Sequence, residues 1–192
     1  MKKLYFLLFT ILTVSLSFSQ GTETFDNFTE TGSSYATGTF LGQDGSTWNY
    51  VESRGDQTIT GKSIMLGKDR PTQAEVYSGT IAGGVGTISF NYQQAFSTNV
   101  NLDFLVNDIL ITSVTSTSEQ GVTKASGSIT VNQPGDVVIK FQNPTGGGQV
   151  TIDDITWTGF TGSASPIISI TSPSDNVIGS STISSPPING KS

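Results

Sequence analysis

Between Thr22 and Phe160 no apolar run sustains a helical period with caps. Short segments instead alternate apolar and polar residues and are cut by glycine, proline and asparagine turns. Ile88, Phe90 and Tyr92 alternate with Ser89 and Asn91, and Val100, Leu102, Phe104 and Val106 alternate with Asn101, Asp103 and Leu105. A period of two puts each apolar set on one face of a sheet. Further strands are predicted at Thr22–Phe28, Thr47–Ser53, Lys62–Leu66, Ala74–Tyr77, Gly127–Val131, Asp136–Gln142 and Gln149–Thr158. Roughly ten short strands with no intervening helices predict an all-β fold, a two-sheet antiparallel β-sandwich of jelly-roll type.

Two local features sharpen that expectation. Asn107-Asp108 sits between two apolar runs, so a two-residue turn would set Val106 opposite Ile109 and Phe104 opposite Ile111. In the last strand Val150 and Ile152 lie on even positions but Ile155 and Trp157 on odd ones. A single inserted residue moves every later side chain to the other face, so a bulge is expected at Asp153-Asp154.

Composition narrows the chemistry. The chain of 192 residues contains no cysteine and no histidine, so neither a Ser-His-Asp nor a Cys-His system can be assembled, nor the usual zinc ligand set. The hydrophobic share is 34%, and 22 glycines bring it to about 45%, enough for a modest core. Paired carboxylates such as Asp44 and Glu52 are the only enzyme-like option, but glycoside cleavage needs two that flank one bond, and no spacing here selects a pair. The chain is therefore expected not to be an enzyme.

The first 19 residues read as a signal peptide: Lys2 and Lys3, an apolar run from Leu4 to Leu16, and the small-x-small pattern Ser17-Phe18-Ser19. The run is shorter than the roughly 20 residues a membrane helix needs. Cleavage before Gln20 is expected, and with it a secreted, extracellular or cell-surface location. Removing Lys2 and Lys3 from nine basic residues leaves seven against fifteen acidic ones, a net charge of −8. Such a surface does not suit direct nucleic-acid binding. Arg54, Lys62, Lys68 and Arg70 form the one local basic cluster, read as a solvated loop. Gly83, Gly84, Gly86 and Gly146-Gly147-Gly148 lack the lysine and helix of a phosphate cradle and read as turns.

Several segments resemble a jelly-roll module of secreted proteins of Bacteroidetes-type bacteria. They are Thr24-Phe25-Asp26-Asn27-Phe28, Gly45-Ser46-Thr47-Trp48-Asn49-Tyr50 with Arg54-Gly55, Ile59 to Leu66, Ser78 to Gly84, and Ile152-Asp153-Asp154-Ile155-Thr156-Trp157. That module is similar to galactose-binding and carbohydrate-binding sandwiches and is found N-terminal to extracellular nuclease or lamin-tail domains. The resemblance covers about residues 20–160. It implies a non-catalytic, secreted accessory module whose partner is a polysaccharide or cell-surface glycan. The alternatives are the N-terminal fragment of an extracellular nuclease or other hydrolase, and a structural spacer.

Beyond Phe160, residues 161–192 open with a small-residue linker. Ile167 to Pro173 then looks like the first strand of an immunoglobulin-like module, which the remaining residues are too few to complete. This tail is expected to be either a truncated further domain, with downstream domains of a longer chain, or disordered.

The resemblance also suggests a metal. In similar jelly rolls the first and last strands adjoin and hold a structural calcium, so Asp26, Asp153 and Asp154 become candidate Ca2+ ligands; the bland alternative is a solvated turn or bulge. Trp48 and Tyr50, two apart on one strand, are candidate ligand-binding residues that would stack on sugar rings; alternatively both pack in the core.

Overall fold

In the computed structural model the described residues are 20–162. The expected signal peptide and nearly all of the tail lie outside them. Twelve strands form: β1 (Gly21–Glu23), β2 (Ala36–Leu41), β3 (Thr47–Arg54), β4 (Ile64–Leu66), β5 (Glu75–Tyr77), β6 (Val85–Gln94), β7 (Val100–Val106), β8 (Ile109–Ser116), β9 (Thr123–Ala125), β10 (Ile129–Gln133), β11 (Ile139–Gln142) and β12 (Val150–Gly159). The fold is all-β, and every ladder between these strands is antiparallel.

One layer is built on β6 and β12, with β9 and β10 on the outer side of β6 and β1 and β4 on the far side of β12. The other runs β8-β7-β11-β5-β3-β2. Inward side chains of both layers, among them Trp48, Phe90, Phe104, Phe141, Ile152 and Trp157, join in one core cluster. Burying such side chains is worth about 1.5–3 kcal/mol each and is the main force closing the layers.

β3 carries the chain between layers. Its first half pairs β5 through Asn49–Val51, and its end pairs β4 through Ser53 and Arg54. The break falls at Glu52, whose φ of 46° is left-handed, and the ladder to β2 slips there between Ala36 and Gly38. Core-facing parity moves with it, from Trp48 and Tyr50 to Ser53.

The bulge expected in the last strand is present. Asp153 pairs with Asn91 and Thr156 with Ser89, so Asp154 and Ile155 together face Phe90, and Asp154 takes a φ of 50°. Asn107 and Asp108 turn the β7–β8 hairpin with φ values of 49° and 63°, as a type I′ turn requires, and Val106 does pair with Ile109. The next expectation needs correction: Phe104 pairs with Thr112, not Ile111, because the register slips by one residue after Leu105–Leu110. Ile109, Leu110 and Ile111 are exposed, since β8 is an edge strand whose tip has no layer across from it.

Candidate functional site

Trp48 and Tyr50 do not form an exposed stacking platform. Trp48 is fully buried and Tyr50 is 4% exposed. The reason is the demand for aromatic volume at this end of the sandwich. Trp48 meets Phe25 edge-on at 6.0 Å and Trp157 at 6.4 Å, while Tyr50 meets Phe28 edge-on at 5.0 Å. Their polar atoms are also engaged: Trp48 Nε1 donates to Asp44 Oδ1 at 3.2 Å and the Tyr50 hydroxyl donates to Glu30 Oε1 at 2.9 Å. Burial, reinforced by the Glu30 carboxylate, pushes the Tyr50 hydroxyl up to about 12.

The three candidate aspartates are parted by the bulge in β12. Asp153 is fully buried; its Oδ2 accepts from Thr60 N and Ser63 Oγ, both at 2.8 Å, and its Oδ1 from Asp154 N at 2.8 Å. Asp154 turns to the other side of the strand, where its Oδ2 accepts from Asn91 Nδ2 at 3.0 Å. Asp26 is exposed and reaches the same Thr60–Ser63 loop from outside, through Lys62 N at 3.3 Å. Among the described residues no three acidic side chains converge into a cation-holding group.

A carboxylate the sequence reading passed over lies nearer to Asp153 in environment. Glu23 on β1 is fully buried, and its two oxygens accept from Phe25 N at 2.7 Å and Gln43 N at 2.8 Å. Burial raises the Glu23 carboxyl above its ordinary value, against those two bonds, and the charges of Asp44 and Asp153 raise it further. Burial likewise pushes Asp153 up to about 6, partly opposed by the bonds from Thr60, Ser63 and Asp154. Among the described residues neither carboxylate has a lysine or arginine as a hydrogen-bond partner. The signal for Glu23 was only its place in the first strand, which pairs with β12.

The outer face of β5 and β11 carries a different arrangement. Tyr77 and Glu75 project there because Ala74 and Val76 take the core positions. Across the ladders they neighbour Lys140 and Gln142. Lys140 Nζ lies 5.2 Å from the Tyr77 ring centroid, 2.6 Å from Asp108 Oδ1 and 3.6 Å from Glu75 Oε2, and Gln142 Nε2 donates to Glu75 Oε2 at 3.2 Å. Although burial works against its charge, the Asp108 and Glu75 carboxylates raise the Lys140 ammonium. A cleft of about 400 Å³ runs over these residues, with Asn107 and Val138 at its side. Asn107 is held by both ends of its amide, which accepts from Val138 N at 2.8 Å and donates to Asp136 O at 3.2 Å. The result is a half-buried aromatic ring beside a cation, two carboxylates and two amides. A larger cleft of about 480 Å³ crosses β1, β12 and β6. Its hydroxyls satisfy one another, Thr87 with Thr158 and Ser89 with Thr156, both at 3.0 Å.

No protein-family profile matches the sequence, and no curated protein matches it. Some solved structures are similar to parts of it. A carbohydrate-binding module of family 36, in complex with calcium and xylotriose, is 13% identical over 72% of this chain and 99% of its own, with a TM-score of 0.44. The K2 cleaved adhesin domain of Lys-gingipain is 15% identical over 72% of this chain and 99% of its own, TM-score 0.47. A family 35 carbohydrate-binding module from Paenibacillus barcinonensis is 16% identical over 58% of this chain and 92% of its own, TM-score 0.42. Carbohydrate-binding jelly-roll modules and an adhesin domain are thus among the structures this chain is similar to.

Proposed function

We propose that the chain is a non-catalytic, exported accessory module that holds a glycan on the outer face of β5 and β11. The observation that carries this reading is the Tyr77 cleft, where the ring lies among Glu75, Asp108, Lys140 and Asn107. A pyranose has one apolar face and a rim of hydroxyls. An aromatic side chain can cover the first, while carboxylates, an ammonium and amides bond the second. No step of chemistry is asked of these groups. Retention of the full chain on immobilised polysaccharides tests the reading. Tyr77→Ala should weaken binding of the retained polymer about tenfold, the loss of one stacked ring; unchanged retention would count against the cleft.

A structural calcium ion belongs to the same proposal, because Glu23 and Asp153 are buried acids with no basic partner among the described residues, and buried charges are ordinarily paired or metal-bound. Calcium takes six to eight hard oxygens. Glu23 Oε1, Glu23 Oε2 and Asp153 Oδ1 each accept a single bond and keep a lone pair for an ion, whereas Asp153 Oδ2 already accepts two. Asp26, which accepts from Lys62 N on the Thr60–Ser63 loop that also bonds Asp153, is the third candidate; Asp154, turned to Asn91, serves the bulge instead. Melting should occur higher in calcium than in EDTA, and equal melting temperatures would count against the ion.

A further inference from the structure

Of the basic cluster read as a solvated loop, Lys62 is exposed, but Arg54 and Arg70 are drawn in. The end of β3, the loop before β2 and the loop after β4 bring Arg54 and Arg70 onto one ring. The Arg70 guanidinium carbon lies 4.3 Å from the centroid of Tyr35 and that of Arg54 lies 5.1 Å from it, with Arg54 also 5.5 Å from the Phe96 ring. Two like charges share one half-buried tyrosine in a protein of net charge −6.

The two arginines are not equivalent. Arg54 is held inward: its side chain is 14% exposed, Nη1 donates to Ser33 O at 2.9 Å, and Nε meets Asp56 Oδ1 at 2.8 Å as an ion pair. Arg70 is 34% exposed and spends only Nε, on Glu52 Oε2 at 2.6 Å. Among the described residues its two terminal amino groups have no hydrogen-bond acceptor. Arg70 also lines a small polar pocket of about 160 Å³, with Asp69, Gln73, Asn143 and Thr145 in its wall. Asn143 is 4% exposed, and its Oδ1 is a buried acceptor without a donor. The local acids are Glu52, Asp56 and Asp69; Asp69 lies 3.9 Å from Lys68 Nζ and accepts from Gly146 N at 2.9 Å. Arg54, Lys68 and Arg70 are thus each paired with one of these acids, and the unspent valence is geometric, on the outer fork of Arg70.

We propose that Arg70, stacked on Tyr35 and backed by Arg54, is a subsite for the oxyanion of an acidic sugar, a carboxylate or sulfate group carried on a polysaccharide. A planar fork with two free amino groups matches such an oxyanion as an ammonium does not. The adjoining amides and hydroxyl suit the neutral hydroxyls of the same sugar. The proposal rests on the glycan-binding reading and adds the charge class of the glycan.

Affinity electrophoresis of the full chain through gels holding a uronate polymer, a sulfated polymer or a neutral xylan or mannan tests it. Greater retardation by an acidic gel, abolished by 0.5 M salt, is the expected result, and the preferred acidic gel identifies the oxyanion. Arg70→Gln should reduce the acidic retardation at least tenfold and leave neutral retardation unchanged, and Arg70→Lys should recover little of it. Glu52→Gln removes the internal competitor for Arg70 and should strengthen acidic binding several-fold, a gain that misfolding cannot produce. Retention by neutral polymers alone, or acidic retention indifferent to Arg70→Gln and Glu52→Gln, overturns the subsite while the Tyr77 reading stands. Retention by no polymer overturns both.

Discussion

Lowering the pH from 7 to 5 in EDTA should stabilise the folded chain, opposite to the usual behaviour of proteins held by carboxylate ion pairs. The cause is Asp153, which titrates at about 6 when folded and near 3.8 when not. Its folded pKa is the raised one, so the folded chain binds more protons than the unfolded chain across this window, and stability is gained as protons are added. Linkage over these two values gives about 1.3 kcal/mol more stability at pH 5 than at pH 7. For a domain of this size that is about 4 °C in melting temperature. Glu23, also raised, adds in the same direction. Glu119 has a lowered carboxyl, bonded by Lys124 and Ser116, so its contribution is lost only below its unfolded value and leaves this window untouched. Trp48 and Trp157 are buried reporters, so fluorescence melts at pH 5, 6 and 7 suffice. Asp153→Asn should flatten the slope. Saturating calcium should reverse it, because the ion competes with the proton for the same oxygens. A melting temperature in EDTA that is flat or falls from pH 7 to 5, with the same slope in Asp153→Asn, would refute the account of this buried acid.

Trp48→Ala removes the largest fully buried side chain of the core and should cost about 3–5 kcal/mol in urea denaturation; a loss under 1 kcal/mol would mean the aromatic cluster is not packed as described. Gly21→Ala places a methyl group against the Trp157 ring and should cost about 1–3 kcal/mol, whereas Gly32→Ala, with open space around it, serves as the neutral comparison.

Strands with a buried face were readable because alternation records burial. β6, β7 and the two halves of β12 all show it, and the parity break at Asp153-Asp154 located the bulge before any coordinates. β2 and β9 went unread for the same reason. β2 contributes only Phe40 to the buried set and β9 contributes nothing, so both are held largely by ladder hydrogen bonds, on which side-chain pattern is silent. The slip at Ile111 was hidden because Ile109, Leu110 and Ile111 are all apolar, and a one-residue shift leaves such a run looking unchanged. Tyr77 was available in principle: it shares parity with Glu75 and opposes that of Ala74 and Val76, which marks an aromatic on the solvent side. Trp48 and Tyr50 offered no such contrast, since two aromatics at core parity fit either an interior or a binding face.

The meeting of Tyr35, Arg54 and Arg70 could not be read from spacing, because it depends on left-handed residues, Glu52 in β3 and Asp69 beside Arg70. Glu52 bends β3 out of one layer and into the other, its amide donates to Thr37 Oγ1 at 3.2 Å, and its carbonyl accepts from Gly67 N at 3.1 Å. It thereby joins the β2 edge to the loop that presents Arg70, while its carboxylate holds the Arg70 Nε. Backbone and side chain of Glu52 thus do separable things. Glu52→Gln should leave the bend intact and release the arginine. Glu52→Gly should release the arginine and also ease the positive φ, which costs a non-glycine residue about 1 kcal/mol. If both variants bind acidic polymer more tightly and only the glycine variant melts higher than its glutamine counterpart, the bend and the ion pair are independent features meeting at one residue.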